Sequence, residues 1–303
     1  MIRLRKVIRG CQIVHLTSLF YPLSWMIALW IILSKQPCKI VWSVRGELED
    51  NALVFSSLKK KLALVWMKPF FRKRVVFHAT SESEETTLKR VLGKDIFVVQ
   101  LPNYMILPEK MELKITKTIL YLGRIHPIKG LENLIEAFSK IRDKKGFVLV
   151  IAGDDQVPYA EKLKSLCKSL ELESVVQFSG HIVGLEKQKL LSAGYLLVLP
   201  SHTENFGNVV IEALAQGTPV IASQNTPWEI LESVQRGTWV SNDPLSMSRA
   251  IESLINLEED TYKRLRQKSY ILCRDVFSIN ENIVQWEGTY QSIISNIYGK
   301  PDL

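Results

Sequence analysis

The chain has 303 residues, 47% of them hydrophobic and 23% charged, with 39 lysines and arginines against 31 aspartates and glutamates for a net charge of +8. Length and composition exclude a disordered chain and a small disulfide scaffold, and they allow one large domain or two ordinary ones. Cys11, Cys38, Cys167 and Cys273 lie far apart with no CxxC spacing, which suggests neither zinc nor a disulfide framework and fits a reducing compartment.

In chain order, the first quarter holds the strongest basic clusters: Arg3, Arg5, Lys6 and Arg9, then Lys59, Lys60 and Lys61, then Arg72, Lys73 and Arg74. They read as a solvated face, as a seat for an anionic membrane, or as contacts to a charged donor or acceptor. No nucleic-acid recognition motif accompanies them. Cys11–Leu16 is a short apolar strand. Leu19–Leu33, apolar with Pro22 near its start, is shorter than the roughly 20 residues a spanning helix needs; it reads as a buried helix of an α/β domain or as a helix that dips into a membrane. No small-residue cleavage site follows, so it is not a signal peptide. Lys39–Val44 is a second strand, Arg45-Gly46-Glu47-Leu48 its loop, and Ala52–Phe70 a helix. Val75–Thr80, Ser83–Leu92 and Phe97–Leu101 continue as strand, helix and strand, with Ser81 or Ser83 as helix cap.

Charged Glu109–Lys117 marks a boundary, giving a first domain over 1–112, a second over 113–279 and a final helix over 280–303 that lies back across the first domain. In the second domain the alternation is regular. Thr118–Leu122, Phe147–Ala152, Val175–Ser179, Tyr195–Leu199 and Pro219–Ala222 are strands, separated by helices over Leu131–Ile141, Tyr159–Leu170, Leu185–Ser192 and Val209–Ala215. That pattern is an α/β fold with a doubly wound, mainly parallel sheet. Glu258–Ile297 is helical, with Ile283, Trp286, Tyr290 and Ile294 along one face.

Two loops at strand carboxyl ends carry the chemistry, which is where open α/β sheets bind ligands. In the first, Gly123 permits a tight turn and Arg124 and Lys129 supply cations beside the start of the following helix, a setting suited to phosphate. In the second, Glu204 and Glu212 suit sugar hydroxyls, and the backbone N–H groups of Phe206, Gly207 and Asn208, after Asn205, open a helix. Solvated loops and a capping carboxylate are the alternatives. Gly153 permits either a ligand's approach or merely a tight turn. His78 and His15, at strand ends, are candidate bases or satisfied core histidines. His126, His181 and His202 show no metal spacing, so no metal is expected.

At this point the residues resemble a family. The chain is similar to retaining glycosyltransferases of the GT-B fold, the large group 1 family also called family 4. The resemblance rests on Gly123-Arg124 with Lys129-Gly130, on Ala152-Gly153 with the second glycine of that motif replaced at Asp155, on Glu204 and Glu212 as a Glu-x7-Glu pair, and on Glu212–Val220. Arg45–Leu48 resembles a "Pro-Arg-Gly-Met-Leu" loop of polysaccharide-synthesis members, and Val76–Glu85 their "Thr-Ser-x-x-Glu" helix start. The family's opening strand with its glycine-rich loop has no counterpart, so the first of the two Rossmann-like domains is expected to be incomplete.

The resemblance implies a UDP- or GDP-sugar donor and no cofactor or metal. It casts Arg124, Lys129 and Glu204 as catalytic, with Gly123, Arg124, Lys129, Gly153, Asn205, Phe206, Gly207, Asn208 and Glu212 binding the nucleotide sugar. It also implies retention, an acceptor of surface polysaccharide, lipopolysaccharide or lipid-linked saccharide, and a cytoplasmic location, peripheral on the inner membrane face. A truncated, inactive remnant that still binds nucleotide or partners an intact enzyme is the alternative, and a nucleotide-sugar epimerase a lesser one.

Overall fold

The computed structural model describes residues 6–48, 57–233 and 237–295. The chain forms two compact α/β units, one of residues 1–103 with 282–303 and one of residues 104–281. Each is Rossmann-like and built on a wholly parallel sheet.

In the first unit, strands β1 (Ile13–Thr17), β2 (Lys39–Ser43), β3 (Val76–Ala79) and β4 (Phe97–Gln100) lie side by side in chain order. Helices α1 (Pro22–Leu33), α2 (Ser57–Phe71) and α3 (Glu82–Leu92) connect them. Right-handed crossovers in an unreversed strand order put all three helices on one face. There Ile27, Ile31, Phe71, Leu88 and Leu92 pack with Trp42 and Phe77. The opposite face, with Val41, Val76 and Val99, is covered by Tyr290 and Ile293 of the C-terminal helix, Ile279–Ile294. The buried stripe of that helix is rotated from the expected one, since Ile293 is buried and Ile283 is exposed. Strand β1 starts later than expected because Gly10 and Cys11 are held in a turn by the carbonyls of Val7 and Ile8 at 3.1 and 3.0 Å. The helix expected over Ala52–Phe70 is described from Ser57; its first residues lie outside the described ones. Ser81 caps α3 by accepting from the Glu84 N–H.

The second unit orders its strands β10-β9-β8-β5-β6-β7. These are β5 (Thr118–Leu122), β6 (Val148–Ala152), β7 (Val176–Phe178), β8 (Leu196–Leu199), β9 (Val220–Ser223) and β10 (Thr238–Val240). Between them run α4 (Leu131–Lys140), α5 (Pro158–Ser169), α6 (Gly184–Ala193), α7 (Asn208–Ala215) and α8 (Ile230–Ser233), followed by α9 (Pro244–Ile255) and α10 (Glu259–Phe277). The order reverses between β5 and β8, so α4 and α5, joined later by α9, pack on one face while α6 and α7, joined by α10, pack on the other, building two cores. The stretch after Ala222 that lacked assigned elements holds β10, α8 and α9, the last capped by Asp243 with Pro244 at its first position. Residues 104–112 belong to this unit: Met105 pairs with Ser278, and Gln216 bonds the Met111 N–H and the Glu109 carbonyl at 2.9 and 3.2 Å.

Candidate functional site

The reversal between β5 and β8 splits the carboxyl edge of the second sheet, and the loops after these two strands meet there. Gly130 makes the meeting possible. It is left-handed at φ 61°, and a Cβ on it would lie 2.2 Å from the Pro200 carbonyl oxygen. The His202 N–H donates to the Ile128 carbonyl at 2.9 Å, fixing one loop against the other. Between them, Pro127–Lys129 forms a single 3-10 turn that ends at Gly130, where α4 begins.

This arrangement brings Lys129 and Glu204, 75 residues apart, into a hydrogen-bonded ion pair. Both side chains are largely buried, at 13% and 15% exposure. Ser201 Oγ reaches the same Glu204 oxygen at 3.3 Å. Gly207, at φ 80°, opens α7 directly behind, where a Cβ would press on the Glu204 Cγ and Leu199 Cδ2 at 3.1 Å. Asn205, adjacent in the loop, has a buried Oδ1 with no hydrogen-bond partner, the one such side-chain atom among the described residues. A buried acceptor left bare costs free energy unless something else satisfies it.

Beside this pair lies a cleft of about 700 Å³, lined by Gly123, Arg124, Gly153, Asp154, His181, Val183 and Lys187 among others. Arg124 is exposed, and its carbonyl is held by the Tyr121 hydroxyl at 2.8 Å. Burial, then the nearby Glu204 charge, pushes the Tyr121 hydroxyl far above its ordinary value, so it stays protonated and donates. Gly153 serves the protein's own backbone: a Cβ there would sit 2.2 Å from the Gly123 carbonyl oxygen. Glu212, on the second turn of α7, pairs with Lys187 of α6 at 2.6 Å. Lys187 lines both the main cleft and a smaller one of about 280 Å³ that Glu212 and Gln216 also line.

The structure thus brings together Gly123, Arg124 and Gly153 along the cleft, joins Lys129 to Glu204, and ties Glu212 to it through Lys187. Phe206 goes elsewhere. Its side chain is buried against Trp228 and Phe277 at ring distances of 5.1 and 5.9 Å, and the Trp228 indole donates to its carbonyl. Asn208 is the exposed first residue of α7. The sequence pointed to His181 only as a loop histidine without metal spacing, and it gave no signal for Lys187 or Val183 as cleft-lining residues.

His15 and His78, in the first unit, are fully engaged. His78 Nε2 meets the Leu101 carbonyl at 2.8 Å, which can only accept, so His78 Nδ1 accepts from Ser43 at 2.7 Å. Ser43 then accepts from His15 Nε2, and His15 Nδ1 accepts from the Tyr290 hydroxyl, both at 2.7 Å. Burial lowers the pKa of His15 to about 4, aided by His78 and then Arg45. Burial also lowers that of His78. Both are satisfied core histidines. Among the described residues no group of three metal-ligating side chains converges.

Comparison with known proteins follows the same lines. An uncharacterized glycosyltransferase from Methanocaldococcus jannaschii is 35% identical over 142 residues, 46% of this chain and 36% of that protein. One from Haemophilus influenzae is 27% identical over 215 residues, 69% of this chain and 59% of that protein. The chain therefore spans between about a third and three fifths of the length of these relatives. In fold it is similar to the solved Anabaena HepE in complex with UDP and glucose, with a TM-score of 0.78 at 18% identity over 96% of this chain and 81% of that one. The family model for glycosyl transferases group 1 matches residues 108–271, over half of the chain and all but the ends of the second unit, and the chain belongs to that family.

Proposed function

We propose that the protein transfers a sugar from a nucleoside diphosphate sugar to a surface-polysaccharide or lipopolysaccharide acceptor, saccharide or lipid-linked saccharide, with retention of configuration. The observation that carries this reading is the pairing of Lys129 with Glu204 at the reversal crevice, beside the Arg124-lined cleft. In this reading Lys129 and Arg124 take the diphosphate, together with the N-terminal N–H groups of α4. They act most strongly as the anomeric bond breaks and charge builds on the leaving oxygen, which is transition-state stabilisation. Two cations and a helix start supply the charge a metal would otherwise bring.

Glu204, released from Lys129 by the diphosphate, turns to the hydroxyls of the transferred sugar. Glu212 takes the ribose hydroxyls, with Lys187 beside it. The bare Asn205 Oδ1 is a ready acceptor for a donor hydroxyl. The fold match to a structure solved with UDP and glucose supports a UDP-sugar over a GDP-sugar. A cytoplasmic site of action at the inner face of a membrane belongs to the same proposal.

The test is calorimetric titration of UDP and of GDP into the full chain and into Lys129→Glu. Saturable binding of one nucleotide is expected, weakened roughly tenfold to a hundredfold by the charge reversal. Absence of heat with either nucleotide in a folded sample sinks the reading.

A further inference from the structure

We infer that the helical face of the first unit is a docking surface for an anionic lipid bilayer, on which α1 and α2 lie without crossing it. This inference rests on the membrane-face location in the proposed function and deepens it, and it is independent of the donor site. Helix α1, PLSWMIALWIIL, carries no charged residue. It buries Ile27, Ala28 and Ile31, yet its outward stripe is also apolar: Met26 is 50% exposed and Leu33 73%. A helix at an ordinary protein surface turns charged and polar side chains outward. Helix α2 combines exposed apolar residues with Lys59, Lys60, Lys61 and Lys68 in its sequence. It buries Leu64 and Phe71, carries no acidic residue, and leaves Leu62 and Val65 exposed at 62% and 67%. The two helices touch, with the Trp25 ring edge-on to Phe71 at 5.6 Å and the Lys60 ammonium 5.4 Å from the Phe20 ring. The two helices are therefore neighbours, and exposed apolar residues on neighbouring helices mark sites of interaction.

Charge identifies the partner. In a parallel sheet every connecting helix ends at the amino edge of the next strand. Lys35 follows α1, and Lys73 and Arg74 follow α2, while Lys6 and Arg9 precede β1. All five are exposed and stand along one edge of the unit. An apolar surface that is uncharged along α1, has lysines as the only charges in the sequence of α2, and is bordered by further cations matches the boundary between acyl chains and anionic headgroups. Among the described residues no helix is long and apolar enough to cross a membrane, so the helices rest in the interface.

Co-sedimentation of the full chain with vesicles of phosphatidylcholine alone, and of phosphatidylcholine with phosphatidylglycerol, tests this. Binding to the anionic vesicles that weakens with added salt is expected. Leu33→Ser with Val65→Ser should lower it about tenfold or more, and Lys73→Gln with Arg74→Gln about fivefold for each cation lost. These positions are exposed, and circular dichroism melting confirms that the variants fold. The inference fails if the chain ignores anionic vesicles, or if either pair of changes leaves partition unaltered. It also fails if sedimentation shows a self-association or a soluble complex that the Leu33 and Val65 changes abolish without affecting vesicles.

Discussion

At the carboxyl edge of the first sheet, Glu47 accepts from the Ser18 hydroxyl at 2.5 Å and from the Leu19 and Phe20 N–H groups, while Glu84 accepts from the N–H groups of Gly46 and Thr80, both at 2.6 Å, and from the Thr80 hydroxyl at 2.8 Å. At the same edge of the second sheet, Glu204 and Glu212 instead meet the ammonium groups of Lys129 and Lys187. A backbone N–H cannot leave its acceptor unless the loop that bears it unfolds. A lysine ammonium swings on a flexible four-carbon stem and exchanges partners at little cost. The first pair of carboxylates therefore holds loops in place, including Ser18 and Arg45 at left-handed φ of 64° and 57°. On the proposed function the second pair trades its lysines for the donor's groups. Topology runs parallel: the strand order of the first sheet never reverses, while that of the second does, at the point where its exchangeable carboxylates lie.

Glu84→Ala strands buried N–H groups of Gly46 and Thr80, and urea unfolding should show a loss on the order of 3–5 kcal/mol. An effect below ~1 kcal/mol would erase the distinction. Acid acts next. Burial lowers the pKa of His15 to about 4, and the unfolded chain protonates near 6.5. The stability held by the neutral ring is present in full above 6.5 and is lost as the pH falls toward 4, because in that window only the unfolded chain gains the proton. The loss is roughly 3 kcal/mol from His15, and His78, also lowered, adds to it. His15→Leu should flatten the fall in urea midpoint between neutral and mildly acid pH; an unchanged slope removes His15 as its source. The smallest effect on stability belongs to Glu204→Ala, roughly 1–2 kcal/mol, because the Lys129 ammonium left behind is largely buried but can swing on its flexible stem toward water. UDP affinity should hold or rise as Lys129 loses its competitor, while turnover of a UDP-sugar falls. A parallel loss of affinity and turnover would place Glu204 among the fixed carboxylates.

Much of this was written in the sequence at short range. Thr118–Leu122 is an unbroken apolar run because the strand is buried on both faces, and its bounds are those of β5. Ser81 and the glutamates after it announced α3. The Asp243-Pro244 cap of α9 is an equally local signal, whereas β10, three residues at a sheet edge, has too little pattern to read. The site followed a different rule. The motif loops were evident, but their pairing was not: Lys129 and Glu204 meet only because Gly130 lets the backbone approach Pro200. Lys187 is one of two lysines on α6 until the fold brings Glu212, 25 residues later, against it. Phe206 sits inside the motif yet points into the core, since an aromatic in a loop declares its size and not its direction.

The pair between Lys129 and Glu204 has a consequence for which anions the crevice admits. Any anion that reaches the Lys129 ammonium displaces a carboxylate supplied by the same chain, whose effective concentration is on the order of millimolar or above. Inorganic phosphate offers Glu204 nothing in exchange, so it competes with a tethered rival and leaves a carboxylate stranded. A molecule that brings an anionic group to Lys129 and hydroxyl groups to Glu204 satisfies both at once. On the proposed function the crevice therefore favours a ligand that brings both chemistries at once, and inorganic phosphate meets only half of that demand.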